Sequence, residues 1–382
     1  MRVLILGAGF GGLELATTLS EAGGGDAFDV TVIDRGDAFV FGYSKLDVMF
    51  GRTTLDEVRL PYSAISKPGV RILQETITAI DPEALRVTTD AGSHEADALV
   101  VALGADYDYE ATPGLLDANE FYSVHGANEL AHVLPTFTEG RALVGVCGAP
   151  YKCPPAPSEC ALLLHDYLTE RGVRDACEIT IVTPFGKPIP PSPDASEALL
   201  TAFSDAGIGF HGGSPIVSID NGRGVAVSGD GTEYPFDLFL GVPRHHAPAV
   251  VLESGMAEEG YISVASATLE SKFPGVYAVG DVATVGVPKA GIFAEGAARI
   301  VAQALIHRQK HGDAPGAYDG KGACYIEFGQ GRVGRVDIDF LSGPNKTGTL
   351  MPPSDALVTE KVHFGASRRA RWGFEPAGAA AG

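Results

Sequence analysis

Val3-Leu4-Ile5-Leu6-Gly7-Ala8-Gly9-Phe10-Gly11-Gly12 is the stretch that decides the fold. The four apolar residues read as a parallel strand buried on both faces. They run straight into G-x-G-x-x-G on Gly7, Gly9 and Gly12. Leu13, Leu15, Ala16 and Leu19 continue as a helix that ends in the glycine run Gly23 to Gly25. A second strand, Val30-Thr31-Val32-Ile33, ends on Asp34, 22 residues beyond Gly12. In this order a helix N-terminus offers free N–H groups and its dipole to a diphosphate, and the glycines let the backbone come close. Asp34 is then placed to accept the hydroxyls of an adenosine ribose. The series predicts a dinucleotide-binding α/β unit.

Working outward, the chain has 382 residues, 45% hydrophobic and 20% charged, which predicts two or three globular domains. Its 28 basic against 48 acidic residues give a net charge of −20, which argues against nucleic acid and favours a basic partner. Five cysteines are too few for a disulfide scaffold of this length. With no doubled C-x-x-C and no histidine cluster, no metal site is expected. Neither a leader pattern nor an apolar run of about 18 residues is visible, so a cytoplasmic protein is expected.

Two later segments bear on the cofactor. Asp97 to Ala105 is an acidic residue, an apolar strand and a small-x-Gly turn through Ala102 and Gly104. Gly275-Val276-Tyr277-Ala278-Val279-Gly280-Asp281 is another buried strand ending in Gly-Asp, ahead of an Ala- and Gly-rich helix from Gly291 to Ala304. The pair resembles the secondary signatures of flavoproteins with two dinucleotide-binding domains, the glutathione-reductase-like architecture. That resemblance implies FAD, with Asp281 at its ribityl or diphosphate part.

The middle of the chain reads as an altered copy of the start. Arg141 to Gly148 is a new first strand, but Ala149-Pro150-Tyr151-Lys152-Cys153-Pro154-Pro155-Ala156-Pro157-Ser158-Glu159 follows where phosphates would be cradled. Its prolines remove N–H donors and exclude close approach. The next strand, Glu178 to Val182, ends on Thr183-Pro184 instead of a ribose-binding carboxylate. Loss of both halves of the fingerprint predicts that NAD(P)H is not the reductant.

The same loop resembles the cysteine loop of the flavoprotein subunit of flavocytochrome c sulfide dehydrogenase and of the sulfide:quinone oxidoreductases. Ala323-Cys324-Tyr325 and Pro288-Lys289-Ala290-Gly291 extend the likeness over nearly the whole chain. It implies two Rossmann-like domains and a small C-terminal domain: FAD-binding segments at 1–110 and 256–312, a degenerate second domain at 111–255, and the C-terminal domain at 313–382. It implies flavin contacts at Gly7, Gly9, Phe10, Gly11, Gly12, Asp34, Arg35, Lys45, Ile77, Ala102, Gly104, Gly280, Asp281, Lys289 and Ala290. It also implies a redox disulfide between Cys153 and Cys324 on the re-face side of the flavin. Electrons from sulfide or a related sulfur nucleophile would then pass to a quinone or a c-type cytochrome.

First principles support such chemistry. Hydrosulfide attacks a disulfide by thiol–disulfide exchange, leaving a persulfide and a thiolate. Lys152 is a candidate to lower a thiol pKa, and Glu159 to move the released protons. A first-turn carboxylate favoured by the helix dipole is the plain alternative for Glu159. Cys160 and Cys177 read as core, and burial is also the expectation for Cys147.

Some features depart from the resemblance. Phe41 to Leu46 holds no cysteine for a tether, so FAD is expected to be non-covalent. Ser158 stands where the family has an aromatic residue, which bears on the sulfide pocket. The C-x-x-x-x-C of disulfide reductases is absent. The tail cluster Lys361, Arg368, Arg369, Arg371, Trp372 and Phe374 suits an anionic membrane surface, or else a solvated segment with one packing tryptophan. Phe328 and Phe340 are quinone-wall candidates, with core as the alternative. The residues after Pro376 read as a frayed tail, and a homodimer is possible. Two rival functions remain open: a type II NAD(P)H:quinone dehydrogenase, and a flavin-binding subunit that docks a partner protein.

Overall fold

The computed structural model describes residues 1–23, 25–310 and 316–374. The tail after Pro376 lies outside them. Arg2–Leu6 forms the middle strand of a five-stranded sheet. Its neighbours in order are Val276–Ala278, Ala98–Val101, Arg2–Leu6, Asp29–Asp34 and Val70–Gln74. Every pairing is parallel, with Val3 opposite both Val30 and Ala98. Helices Phe10–Glu21 and Gly291–Lys310 pack together on it. Small residues permit this: a Cβ on Gly291 would stand 2.6 Å from the Phe10 ring. An antiparallel meander, Ile77–Asp81, Arg86–Thr89 and Ser93–Glu95, lies between the Val70–Gln74 and Ala98–Val101 strands in sequence.

A second parallel sheet has the order Ile208–Gly212, Cys177–Thr183, Gly140–Val146, Leu238–Val242, so the pattern read in the middle of the chain does fold as a Rossmann-like sheet. Helix Ala156–Glu170 packs on it through Cys160, Leu163, Leu164 and Leu168, all buried. Cys147 and Cys177 are buried as well. The last element group is an antiparallel sheet, Lys321–Glu327, Val333–Asp339 and Thr347–Met351, followed by helix Asp355–Trp372.

That helix corrects the membrane-surface reading of the tail cluster. Trp372 is 0% exposed, and its indole N–H donates to Glu14 Oε2 at 3.0 Å. Arg371 Nε and Arg299 Nε also donate to the buried Glu14 carboxylate, at 2.9 and 2.7 Å, and Arg368 pairs with Glu295 at 2.8 Å. Trp372, Phe10, Phe39 and Phe41 form an aromatic cluster, edge-to-face but for the stacked Phe41 and Trp372 rings, with Phe10 to Trp372 at 5.5 Å between centroids. Arg371 thus staples the C-terminal helix to the first βα unit, and Arg368 ties it to helix Gly291–Lys310. Phe328 is likewise buried in the core around the second sheet.

Candidate active site

The glycine turn is shaped by contacts that no side chain allows. Gly7 has φ +101°, and a Cβ there would stand 2.5 Å from the Ala102 carbonyl oxygen. A Cβ on Gly12 would lie 1.9 Å from the Gly7 carbonyl oxygen. At Gly9 nothing lies within 4 Å, so the backbone there faces open space. No side chain caps the helix that begins at Phe10, which leaves its first N–H groups for an anion. Asp34 accepts Ala8 N–H and Gly36 N–H, both at 2.7 Å, which fixes its carboxylate at the end of the second strand.

The turn opens into a cavity of about 280 Å³. Thirteen of the residues named from the sequence line it: Gly9, Phe10, Gly11, Lys45, Ala102, Gly104, Lys152, Cys153, Glu159, Gly280, Asp281, Lys289 and Ala290. Gly7, Gly12, Asp34, Arg35 and Ile77 do not line it. Arg35 is largely exposed and reaches Asp106 at 3.5 Å, while Ile77 sits on the meander.

Three lysines converge on the cavity around Asp281. Burial pushes the Asp281 carboxyl up, and Lys152, Lys289 and Lys45 oppose that. Burial likewise brings Lys45 and Lys289 down to about 8, and lowers Lys152. Lys289 Nζ donates to the Asp281 carbonyl and lies 3.4 Å from the Tyr261 ring centroid. Lys152 Nζ donates to the Ala105 carbonyl at 2.7 Å and covers the Tyr107 ring at 4.3 Å. The expectation that Lys152 lowers the neighbouring thiol is therefore corrected: its side chain turns to Ala105, and Lys45 is the cation that pulls the Cys153 thiol down.

The cysteine loop is pinned to the segment that follows Gly280-Asp281. Cys153 N–H donates to the Lys289 carbonyl at 2.8 Å, and its own carbonyl accepts Ala156 N–H at 2.9 Å and Tyr122 O–H at 3.4 Å. Cys153 has φ +49°, a conformation uncommon for a residue with a side chain and often found at functional sites. It is exposed, but to a cavity inside the fold. Burial therefore pushes its thiol well up, with Glu159 and Cys324 acting in the same direction. Cys324, on strand Lys321–Glu327, is half-buried, and burial and then Glu159 push it up to about 12. Both thiols are free in this structure.

Cys324 lines a second, more apolar cavity of about 580 Å³. Pro150, Pro154, Pro155, Phe293 and Phe340 are among its walls, and Lys289 and Ala290 separate it from the first cavity by belonging to both. Glu159, in the first turn of its helix, is buried and accepts the Glu327 N–H at 3.0 Å. Burial pushes its carboxyl up to about 7 against the pull of Lys361.

Several site residues had no sequence signal. Tyr122 and Tyr107 pack edge-on against His245, which is 4% exposed. The His245 Nδ1 bonds to the Pro243 carbonyl at 2.8 Å, and its Nε2 has no partner among the described residues. Burial and Lys152 bring it down to about 3, so it is neutral at physiological pH. Tyr43, on the cavity wall, was also missed.

A free helix N-terminus, an open glycine turn and a strand-end carboxylate fit a flavin dinucleotide, and the chain belongs to the pyridine nucleotide-disulphide oxidoreductase family, whose model matches residues 1–304. It is an FAD-dependent oxidoreductase. The mitochondrial sulfide:quinone oxidoreductase of Mus musculus is 25% identical over 362 residues, covering 91% of this chain and 80% of that protein. A type II NADH:quinone oxidoreductase of Staphylococcus aureus is 26% identical over 303 residues, covering 73% and 74%. Among solved structures, the sulfide:quinone oxidoreductase of Aquifex aeolicus superposes with TM-score 0.87 at 21% identity, over 98% of this chain and 93% of that one. The NDH2 of Plasmodium falciparum gives 0.74 at 12% identity, over 98% and 96%. Among the described residues no helix is long and apolar enough to cross a membrane.

Proposed function

We propose that the protein oxidises sulfide, or a closely related sulfur nucleophile, through a Cys153–Cys324 disulfide and delivers the electrons to a quinone. The observation that carries this reading is the joint position of the two cysteines. Cys153 lines the cavity under the glycine turn, Cys324 lines the apolar cavity behind it, and Glu159 acts on both thiols. When bound, FAD supplies a two-electron acceptor there. Its diphosphate would lie at the helix beginning at Phe10, with Asp34 at the ribose and Asp281 and Lys289 further along.

The chain's own residues then divide the work. In the oxidised protein, hydrogen sulfide entering the apolar cavity attacks Cys324 Sγ; a new S–S bond forms there, the Cys153–Cys324 bond breaks and one proton is released. The products are a Cys324 persulfide facing apolar walls and a Cys153 thiolate facing the lysines. Lys45 stabilises that thiolate, and Glu159 takes up the proton that sulfide sheds. FAD is taken to be non-covalent, since Cys153 is the one thiol on the first cavity's described wall.

The relationship to a type II NADH:quinone oxidoreductase favours a second reading, in which a nicotinamide nucleotide is the donor. Against it stand the prolines Pro150, Pro154 and Pro155, which line the apolar cavity at the point where the second sheet would need a phosphate cradle. Anaerobic rapid mixing separates the two. Sulfide is expected to bleach the flavin, NADH to leave it oxidised, and Cys153→Ser to abolish the sulfide reaction. Bleaching by NADH alone would overturn the proposal, and sulfide bleaching that survives in Cys153→Ser would remove the disulfide from it.

A further inference from the structure

Hydrogen sulfide has a single heavy atom, yet the cavity that Cys324 lines holds about 580 Å³. Pockets that enclose whole organic ligands run from roughly 300 to 1,000 Å³, whereas one water molecule occupies only about 30 Å³. Sulfide therefore leaves most of the space unfilled. The walls are apolar, with Phe185, Ile189, Val287, Phe293, Ile338 and Phe340 among them. They come from the loop after strand Cys177–Thr183, the segment after Asp281, helix Gly291–Lys310 and the C-terminal sheet.

Charge sets a second requirement. The whole chain carries −20, but among the described residues that line this cavity there are two lysines and no Asp or Glu. Lys289 is buried and bonded to the Asp281 carbonyl. The Tyr261 O–H is spent on the His245 carbonyl at 2.7 Å, and the Tyr151 O–H on the Pro154 carbonyl at 3.4 Å. Lys346 differs: it is exposed, stands 5.4 Å from the Phe340 ring centroid and has no ion pair among the described residues. Cys324 pairs with Val336, and three residues along that strand Asp339 pairs with Thr347, the neighbour of Lys346. At about 3.4 Å per residue and about 4.8 Å per strand, the backbones of Cys324 and Lys346 stand on the order of 14 Å apart. A thiol and an anion joined by about eight carbons span that distance once the reach of the lysine is counted.

We propose that this cavity binds an organic thiol with an apolar body and a terminal carboxylate, its sulfur at Cys324 and its carboxylate at Lys346, and that the cysteine pair oxidises it. This rests on the Cys153–Cys324 disulfide proposed above and names the class of sulfur nucleophile that fills the site. A first thiol, RSH, attacks Cys324 Sγ: the bond to Cys153 breaks, a mixed disulfide Cys324–S–S–R forms, Cys153 leaves as thiolate and one proton is released. A second RSH attacks the sulfur that carries R, giving RSSR and the Cys324 thiol. Two thiols have then become one disulfide. Two electrons reside on the cysteine pair, and FAD is the acceptor that regenerates its S–S bond.

The holoenzyme is mixed anaerobically with mercaptoethanol, mercaptooctanol or mercaptooctanoate, and the concentration that half-maximally speeds flavin bleaching is read for each, with sulfide run alongside. Each methylene taken from water into an apolar site gains about fourfold in binding. Mercaptooctanol is therefore expected to act at least about tenfold below mercaptoethanol, since its chain is longer by about six methylenes. Mercaptooctanoate is expected to act about threefold below mercaptooctanol, the gain of one exposed ion pair. Lys346→Glu, a change at an exposed position, is expected to reverse that last advantage. Binding is read apart from bleaching: octanoate, which has no thiol, is expected to slow alkylation of Cys324 by iodoacetamide in the reduced protein, followed by peptide mass. Octanoate without effect on Cys324, equal potency of the three thiols, or a carboxylate preference that survives in Lys346→Glu would overturn the inference while sulfide bleaching leaves the functional reading standing. A neutral quinone analogue that shields Cys324 where octanoate does not would overturn it too, and would assign the cavity to the electron acceptor. A wild-type flavin bleached by neither sulfide nor thiol would overturn the functional reading and this inference with it.

Discussion

Replacing Glu14 by Gln perturbs the buried carboxylate that ties the last helix to the first. Glu14 is 0% exposed and receives Arg299 at 2.7 Å, Arg371 at 2.9 Å and the Trp372 indole at 3.0 Å. Removing one partner from a fully buried ion pair costs about 3–5 kcal/mol. Here the Arg299 and Arg371 side chains keep 49% and 33% of their exposure, so water recovers part of the loss. Glutamine also still offers the indole an acceptor. The expected cost is about 2–4 kcal/mol at neutral pH. Because Trp372 packs against Phe10 and Phe39, and Phe10 lines the cavity, loosening the helix also loosens the flavin. The assay is thermal release of flavin, read by its fluorescence, alongside urea unfolding. The pH dependence follows from the carboxyl: burial raises it, but hydrogen bonds from Arg371, Trp372 and Arg299 outweigh this and hold it below its ordinary 4.5. Its contribution is therefore complete above about 4.5 and lost as the pH falls through the lower folded value. Wild type and Glu14→Gln should converge in acid. Equal stability at neutral pH, or a gap that widens in acid, would refute the reasoning.

Further outcomes are expected at the site. Gly12→Ala drives a Cβ to 1.9 Å from the Gly7 carbonyl, so the purified variant should hold less than about a tenth of the wild-type flavin, measured by absorbance; normal loading would contradict the turn geometry. Lys45→Met should slow alkylation of Cys153 by iodoacetamide below about pH 8, where Lys45 is charged, and change little above it. Glu159→Gln should remove an inflection near pH 7 from the rate of sulfide-driven bleaching, because that is where the buried carboxyl loses its proton. A profile that keeps the inflection would assign it to another group.

What could be read from the sequence was local. The strand, glycine turn, helix and Asp34 lie within one βαβ unit, and each signal is set by neighbours a few residues away. The cysteine loop was legible for the same reason: its prolines act on their own backbone. What escaped depends on distant packing. Glu14 stands between Leu13 and Leu15 in an apolar helix, and nothing local says that Arg371 and Trp372 will reach it, so the basic tail looked free to meet a membrane. Lys152 adjoins Cys153 in sequence, yet its side chain turns to Ala105 while Lys45, more than a hundred residues away, acts on the thiol. Tyr107, Tyr122 and His245 carry no motif; an antiparallel pairing of Asp106–Asp108 with Arg244–His246 sets Tyr107 opposite His245, and Tyr122 packs edge-on against His245 from outside that pairing. The one advance signal was Glu159, whose place in the first turn of the loop's helix was visible while its contacts with the C-terminal elements were not.

The sulfur pair itself can be tested by peptide mapping with mass spectrometry. Protein oxidised by quinone and then digested without reductant should yield one linked peptide pair containing Cys153 and Cys324. One equivalent of sulfide should replace that link with a Cys324 peptide heavier by one sulfur and a free Cys153 peptide. Recovery of both cysteines as unlinked thiols from protein that still turns over sulfide would contradict the account.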